Sequence, residues 1–342
     1  MGLCPCRMRR AAMALATVLL AGCNATVDND DNAWGGDHDA DRWYTAGARL
    51  EHPAVASDGD SLVEQFDRLV IAVAGTLPTS LDGPDTETDA SSVIGMQMYT
   101  PEDTSTSLPI PDDRPYAGYV YAGVVRHDTR LDPDALRRHD EQSSVELDVG
   151  LVGPSTRVDD LQDEVHGWFN QQKAEGWDNQ LDDEPALVLR GARRWRVDYG
   201  ESGWGLAYDL SPRVDGALGN IDTHVGVGGV ARLGVNLSRA LDPTLGDPRS
   251  AARRGERPSS VYVFTGVDGR FVAHNLFLDG NTFEDSLSVT EERLVGELEL
   301  GLGWELGAFR FSWSRHLRSK EFEGQPDSQA YGSFTVSWTP AL

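Results

Sequence analysis

Gln162 and His166 stand four residues apart in Asp159-Asp160-Leu161-Gln162-Asp163-Glu164-Val165-His166-Gly167-Trp168-Phe169. On a helix that spacing sets one side chain over the other. Leu161, Val165, Trp168 and Phe169 recur at helical spacing and give the segment one apolar side. Thr156, with Asp159 three residues on, has the form of a capping box that starts the helix. An imidazole beside an amide, at the edge of an apolar surface, is equipped to act as a general base at a lipid interface. The same spacing describes a surface helix with a solvated histidine, and the residue types leave both readings open.

The other groups with chemical potential are scattered: Asn29-Asp30, Asp41-Arg42, Asp113-Arg114-Pro115, Gly219-Asn220 and Asp279-Gly280-Asn281-Thr282-Phe283. Taken singly, each is a turn or a strand end. The remaining histidines show no spacing typical of a metal site. These groups need a scaffold that gathers them, and the alternation of the chain supplies one. Leu298, Leu300, Leu302, Trp304 and Leu306 fall on one face, with Glu297, Glu299, Gly301, Gly303 and Glu305 on the other. Val225, Val227, Ala231, Leu233, Val235 and Leu237 repeat the pattern, as do Val145 to Leu151, Phe309 to Trp313 and Phe334 to Trp338. Period-two segments about ten residues long are a weak signature of a membrane β-barrel, since a soluble sandwich also alternates. The polar, charged and glycine-rich second face, the aromatics near strand ends and an export signal tilt the balance to the membrane. Tyr119, Tyr121, Trp195, Trp204, Trp304 and Trp338 sit near strand ends, where interfacial aromatic girdles form.

Strands are expected at roughly 25–30, 42–53, 92–100, 116–127, 143–153, 185–198, 203–217, 222–237, 260–273, 291–306, 309–317 and 329–340, an even number as closure requires. The fold class is therefore all-β: a twelve-stranded antiparallel transmembrane β-barrel with a short extracellular-loop helix. With the N-terminus on the inner side, every connection after an odd strand lies outside, and all the unusual residues collect at that mouth. On the inner side, Leu62, Phe66, Leu69, Val70 and Val73 predict an amphipathic helix in 61–76, under the barrel or on the membrane surface. Arg190, Arg194 and Arg196 share a strand face and are expected to line the lumen. The Pro- and Arg-rich stretch 238–259 reads as loop.

The chain carries a formal net charge of −25 over 342 residues, which argues against nucleic acid as a partner. An acidic protein working on an anionic lipid surface calls for a divalent cation as a bridge. Arg7, Arg9 and Arg10, the apolar run Ala11 to Leu20 and Leu20-Ala21-Gly22-Cys23 form an export signal over residues 1–23. Leu-Ala-Gly-Cys resembles a bacterial lipobox and would leave a lipidated Cys23, while cleavage slightly later by the ordinary signal peptidase is the alternative. Residues 24–342 then form one outer-membrane barrel domain.

Asn29-Asp30, Asp41-Arg42-Trp43-Tyr44-Thr45-Ala46-Gly47, Tyr99-Thr100-Pro101, Asp113-Arg114-Pro115-Tyr116-Ala117-Gly118, Gly153-Pro154, Gln162 with His166, Gly176-Trp177-Asp178-Asn179-Gln180, Gly219-Asn220 and Asp279-Gly280-Asn281 occur in this order. The ordered set resembles the outer-membrane lipid A deacylase (LpxR-like) family across nearly the whole mature chain. The resemblance implies a calcium-dependent esterase that removes the 3′-linked acyloxyacyl group of lipid A, with lipopolysaccharide as substrate and Ca2+ as cofactor. His166 is then the general base, Gln162, Asn29 and Thr45 are the other catalytic positions, and Asp30 is the metal ligand. The loop 100–106 lacks the lysine some family members hold near the oxyanion, so calcium, Arg42 or Arg114 must serve instead. Gln172 stands where a relative has glutamate. A monomer in outer-membrane lipid is expected. Two other readings fit the residues: an outer-membrane phospholipase, and a non-catalytic barrel such as a transporter or scaffold. Against the phospholipase, no Gly-x-Ser-x-Gly nucleophile setting is apparent.

Overall fold

The computed structural model describes residues 23–30, 41–81, 83–134, 138–169, 172–241 and 259–338, without the side chains of Trp168 and Phe169. Apart from Cys23, the expected export signal lies outside the described residues, as does most of the 238–259 stretch.

The strands are β1 (Cys23–Asn29), β2 (Trp43–Pro53), β3 (Thr86–Thr100), β4 (Ala117–Arg130), β5 (Glu141–Val152) and β6 (Glu184–Trp195). They continue as β7 (Asp198–Glu201), β8 (Leu206–Gly219), β9 (Asp222–Val235), β10 (Ser260–Asn275), β11 (Leu294–Leu306), β12 (Phe309–Arg318) and β13 (Gln329–Trp338). Each pairs antiparallel with its neighbours, and β1 closes on β13. β6 and β7 are two pieces of one stave: β6 pairs with the Arg213–Gly219 part of β8 and β7 with its Ala207–Leu210 part. The result is a closed barrel of twelve staves. Closure leaves no edge strand, so every stave satisfies its backbone within the sheet, as hydrocarbon demands. Among the described residues no helix is long and apolar enough to cross a membrane.

The alternation sorts side chains as expected. Leu298, Leu300, Leu302 and Trp304 are exposed on the outer wall, whereas Glu305, Arg310, Ser312 and Ser314 are buried inside. Arg190 and Arg194 line an internal cavity of about 280 Å³ with Arg49, Glu51 and Glu146. Arg196 is buried between Asp140 and Asp209. Glycine on the inner face makes room for rings: a Cβ at Gly303 would lie 2.1 Å from the Tyr262 ring, and one at Gly301 2.2 Å from Phe264. A barrel of this size is thereby filled rather than open.

Two expectations change. Tyr119 and Tyr121 do not belong to an outer girdle. They stack on each other at 5.0 Å, and they fall on the inward side of β4, where Tyr121 lines the cavity. Odd-numbered residues of β4 point inward, so tyrosine at a strand end says nothing of its face until register is known. A girdle does form at the other end, where Trp304, Phe309, Phe311 and Trp338 meet on the outer wall. Leu237 also leaves the expected stripe, because β9 ends at Val235 and Asn236 takes φ 54°.

At the mouth reached by β1, β3 and β5 the lumen is plugged. The one-turn helix α3 (Leu276–Asp279; numbered after α1 and α2 below) drives buried Leu276 and Phe277 into a cluster with Tyr44, Tyr99, Tyr119 and Tyr331. Phe277 stacks on Tyr99 at 4.3 Å. Two longer helices lie elsewhere. α1 (Leu62–Ala74) follows β2 at one end, and α2 (Val158–Phe169) follows β5 at the plugged end.

Candidate active site

The β1–β2 pair runs one step past the strands, through an Asp30 N–H bond to the Thr45 carbonyl at 3.1 Å. On the other side of β2, register with β3 shifts between Tyr44 and Ala46, a bulge that inserts Thr45 as the extra residue. Bulges re-aim side chains, and here the Thr45 hydroxyl meets that of Thr100 at 2.8 Å. Next to it Trp43 adopts φ 59° although it carries a bulky side chain. That conformation costs roughly 1–3 kcal/mol. The Gln329 side chain offsets it with three hydrogen bonds: it donates to the carbonyls of Arg42 and Tyr44 and accepts from the Tyr44 N–H. At about 0.5–1.5 kcal/mol each, these three cover the strain and hold residues 42–45 in one shape.

Asp30 is buried and its Oδ2 accepts from the Arg42 N–H at 2.7 Å. The preceding residue, Asp41, reaches the other way. Its Oδ2 lies 2.9 Å from His166 Nε2, and the Gln162 amide donates to the same oxygen. Gln162 is held from behind by the Trp177 indole N–H, which donates to its Oε1 at 2.6 Å. His166 Nδ1 faces the Gln172 carbonyl at 2.6 Å. Both ring nitrogens thus point at acceptors, and the hydrogen bond to Asp41 raises the imidazole above its ordinary range.

The helix carrying these residues lies on the outer wall. Val158 and Trp177 pack against Met98 and Tyr116, with Met96 and Ala46 beside them. Gly118 faces outward under the start of α2, where a Cβ would sit 2.6 Å from the Thr156 hydroxyl and 2.9 Å from Val158. Glycine at 118 is what lets the helix lie flush. Val158, Gln162 and His166 form the buried stripe while Leu161 is exposed. The wall therefore receives a partly polar stripe, with Leu161 exposed and Val165 half-buried beside it; the side chains of Trp168 and Phe169 lie outside the described residues. The expected capping box is absent: Thr156 belongs to a preceding 3-10 turn and its hydroxyl donates to the Gly153 carbonyl at 2.7 Å. Arg157 then takes a left-handed turn before the helix begins.

The structure brings Asp30, Thr45, Gln162 and His166 to one mouth of the barrel and links them through Asp41-Arg42. Asn29 ends β1 at the same mouth, in register with Ala46 and Gly332. Asp41 is the residue that sequence reasoning passed over as a site member. It stood in the Asp41-Arg42 pair, and only its reach across to α2 distinguishes it from a strand-start carboxylate. Of the two candidate arginines, Arg114 is buried, paired with Glu321 at 3.2 Å and stacked over Tyr99. That removes it from the site, and its partner is Glu321 rather than the neighbouring Asp113. Arg42 is buried as well, over Trp43 and 3.2 Å from Glu102, but it adjoins Asp41 and its backbone N–H binds Asp30. Gly219-Asn220 and Asp279-Gly280 serve the loops: Asn220 binds Glu184 and the Pro185 carbonyl, and Asp279 accepts from the Asn275 N–H.

Among the described residues no three His, Cys, Asp or Glu side chains converge on a point that could hold a metal ion. A cation here would draw on Asp30 together with neutral oxygens, and the hydroxyls of Thr45 and Thr100 and the backbone carbonyls of the bulge are the oxygen donors hard cations take.

No curated protein matches the chain. The solved structure of LpxR from Salmonella typhimurium is similar, with a TM-score of 0.69 at 20% identity, covering 94% of this chain and 100% of that one. The β domain of the Bordetella autotransporter BrkA gives 0.44 at 8% identity over 94% of this chain and 99% of that chain. The translocator domain of NalP from Neisseria meningitidis gives 0.36 at 9% over 98% and 95%. Neither autotransporter likeness bears on this chain. A family model described as "Outer membrane protein LpxR" matches residues 9–340, so the chain, with its closed barrel and its wall-mounted helix, belongs to the LpxR family.

Proposed function

We propose that this outer-membrane protein is a hydrolase of lipid A, removing the 3′-linked acyloxyacyl group with His166 as general base and calcium as cofactor. The observation that carries the reading is the convergence of Asp41, Gln162 and His166 on the outer wall of a plugged barrel. A site there meets a membrane lipid from the side, with the acyl chain against the partly exposed wall at Ala46 and Met96 beside the helix. The loop-rich mouth faces the outer leaflet, where lipopolysaccharide resides.

In the working base, the proton on Nδ1 stays donated to the Gln172 carbonyl and Nε2 accepts from a water. That water stands in place of the direct contact to Asp41. As the water oxygen adds to the ester carbonyl carbon, its proton passes to Nε2. The imidazolium formed is stabilised by Asp41, and it returns the proton to the departing sugar oxygen as the C–O bond breaks. Gln162 fixes the Asp41 carboxylate, and Trp177 fixes Gln162. Calcium, when bound through Asp30, supplies fixed positive charge for the carbonyl oxygen. With Arg114 paired elsewhere and no lysine in 100–106, that role falls to calcium, with Arg42 adjoining the site. Asn29 and Thr45 shape the oxygen-rich floor.

The aromatic plug argues against solute transport as the main activity. The test is the lipid A mass profile of cells with and without the protein, at controlled calcium. Loss of one acyloxyacyl unit that disappears with His166→Ala and with chelation supports the reading. An unchanged profile, or fatty-acid release from phospholipid vesicles that lack lipopolysaccharide, overturns it.

A further inference from the structure

We propose that α1 is a membrane-surface helix, seated in the headgroup region of the leaflet at the barrel end opposite His166. This rests on the barrel spanning the membrane and not on the reaction it catalyses. Two placements were open for this amphipathic segment, beneath the barrel or on the lipid, and the geometry points to the second.

The face of the wall decides it. Val70 and Ala74 pack with Ala54 and Ala90, and Val124 and Ile71 join them. On β4, Tyr121, Val125 and His127 line the internal cavity, so Val124 points outward. On β3 the inward residue is Gln97, which places Ala90 outside as well. The helix is therefore attached to the outer surface. Its level is the lower border of the apolar band: Ala90 is in register with Arg126, and the next outward pairs up the wall are Ser92 with Val124 and Ile94 with Ala122.

Its orientation is locked. The Asp67 carboxylate accepts from the Val55 N–H at 3.1 Å. Beyond the helix, Arg126 donates to the Leu77 carbonyl at 3.4 Å and Arg193 to the Ser80 carbonyl at 3.2 Å. Ser80 meets Ser143 at 2.8 Å. With Val70 and Ala74 fixed to the wall, Leu62, Phe66 and Leu69 form a stripe about 100° away around the helix. They are 84%, 50% and 60% exposed. That stripe lies on the side of the helix turned away from the 55–59 loop, which holds Asp67 through the Val55 N–H and Arg68 through the carbonyls of Ser57 and Gly59. An apolar stripe held sideways at the border of the hydrocarbon band, with charge turned away, is the arrangement of an interfacial helix. Its partner is apolar acyl surface rather than anionic headgroup, because Arg68 is engaged within the chain.

The test uses the full mature chain carrying Cys23→Ser, refolded into phosphatidylcholine vesicles, with a nitroxide attached at Phe66→Cys or at Arg68→Cys. Heat-modified gel migration verifies the folded barrel, and Leu69→Cys replaces Phe66→Cys if that variant fails to fold. The expected result is a severalfold higher ratio of oxygen to aqueous nickel-chelate accessibility at 66 than at 68. Equal access of the chelate to both positions overturns the proposal. So does protection of position 66 from both reagents, which would mean that protein, a second copy included, covers the stripe. None of these readings depends on deacylation.

Discussion

α1 and α2 lie flat on the outside of the same barrel wall, one at each end, and each leaves apolar side chains exposed, Leu62, Phe66 and Leu69 on α1 and Leu161 on α2. What they press against the wall differs. α1 buries Val70 and Ala74 with small apolar partners and one polar group, Asp67, held by the Val55 N–H, so its contact is mainly packing. α2 starts its contact with Val158 and then buries Gln162 and His166, which need Asp41 and Trp177 to be tolerated there. Buried polar groups persist only when hydrogen-bonded. One placement anchors, and the other builds a reactive cleft where lipid meets polar side chains.

The comparison breaks most sharply at His166. His166→Ala should lower lipid A deacylation by about 10²–10⁴-fold, the range of a lost general base, without altering barrel formation, as mass spectrometry and gel migration would reveal. Removing calcium by chelation should abolish turnover, and re-addition should restore it. Asp30→Asn should raise the calcium needed for half-maximal rate; unchanged calcium dependence would assign the metal elsewhere.

Gly118→Val should displace α2 from the wall. A misplacement of about 1 Å can cost on the order of 10²-fold in rate, so activity should fall with the strands intact. Were the activity retained, the flush seat of α2 would be irrelevant to chemistry.

Asp41→Asn gives a sharper signature than a simple loss. The carboxylate raises the pKa of His166, so the base form is gained only as pH rises through that elevated value. Removing the charge should move the acid limb of the pH–rate profile to lower pH while reducing the maximal rate. The same linkage has a stability face. The pair stabilises the fold fully below the ordinary imidazole pKa of about 6.5, and that contribution is lost as pH rises through the raised folded value. A limb that moved upward in the variant would sink the role given to Asp41.

The smallest effect belongs to α1. Leu69→Ser on its exposed stripe should leave deacylation within about twofold, since single surface changes away from a site cost little, while weakening contact of that end with lipid. A loss as large as that of Gly118→Val would mean the two ends are coupled.

Much of the scaffold was readable beforehand. Leu298 to Leu306 alternate so regularly that strand and face follow from order alone. The membrane context needed the charged, glycine-rich second face and the export signal, because a soluble sandwich also alternates. Counting staves by parity placed Asn29, Asp30, Gln162 and His166 at one mouth. The family resemblance named their roles. Illegible were features that depend on which neighbour lies across a gap. Tyr119 and Tyr121 read as girdle because register is not local. The capping box at Thr156 was displaced by a 3-10 turn that begins at Gly153, whose φ of 105° only glycine holds easily. Asp41 looked like half of an Asp-Arg pair until α2, more than 110 residues later in the chain, was laid over it.

Sequence by itself determined that this chain forms a membrane barrel, because the two-residue period of a strand sorts its faces, and the charged, glycine-rich second face with the export signal says that one faces a wet lumen and the other lipid. Tertiary structure alone decided which stripe of each wall-mounted helix faces inward. A helix with several usable faces takes its rotation from what the wall offers: small apolar residues under α1, and a glycine seat with a carboxylate under α2.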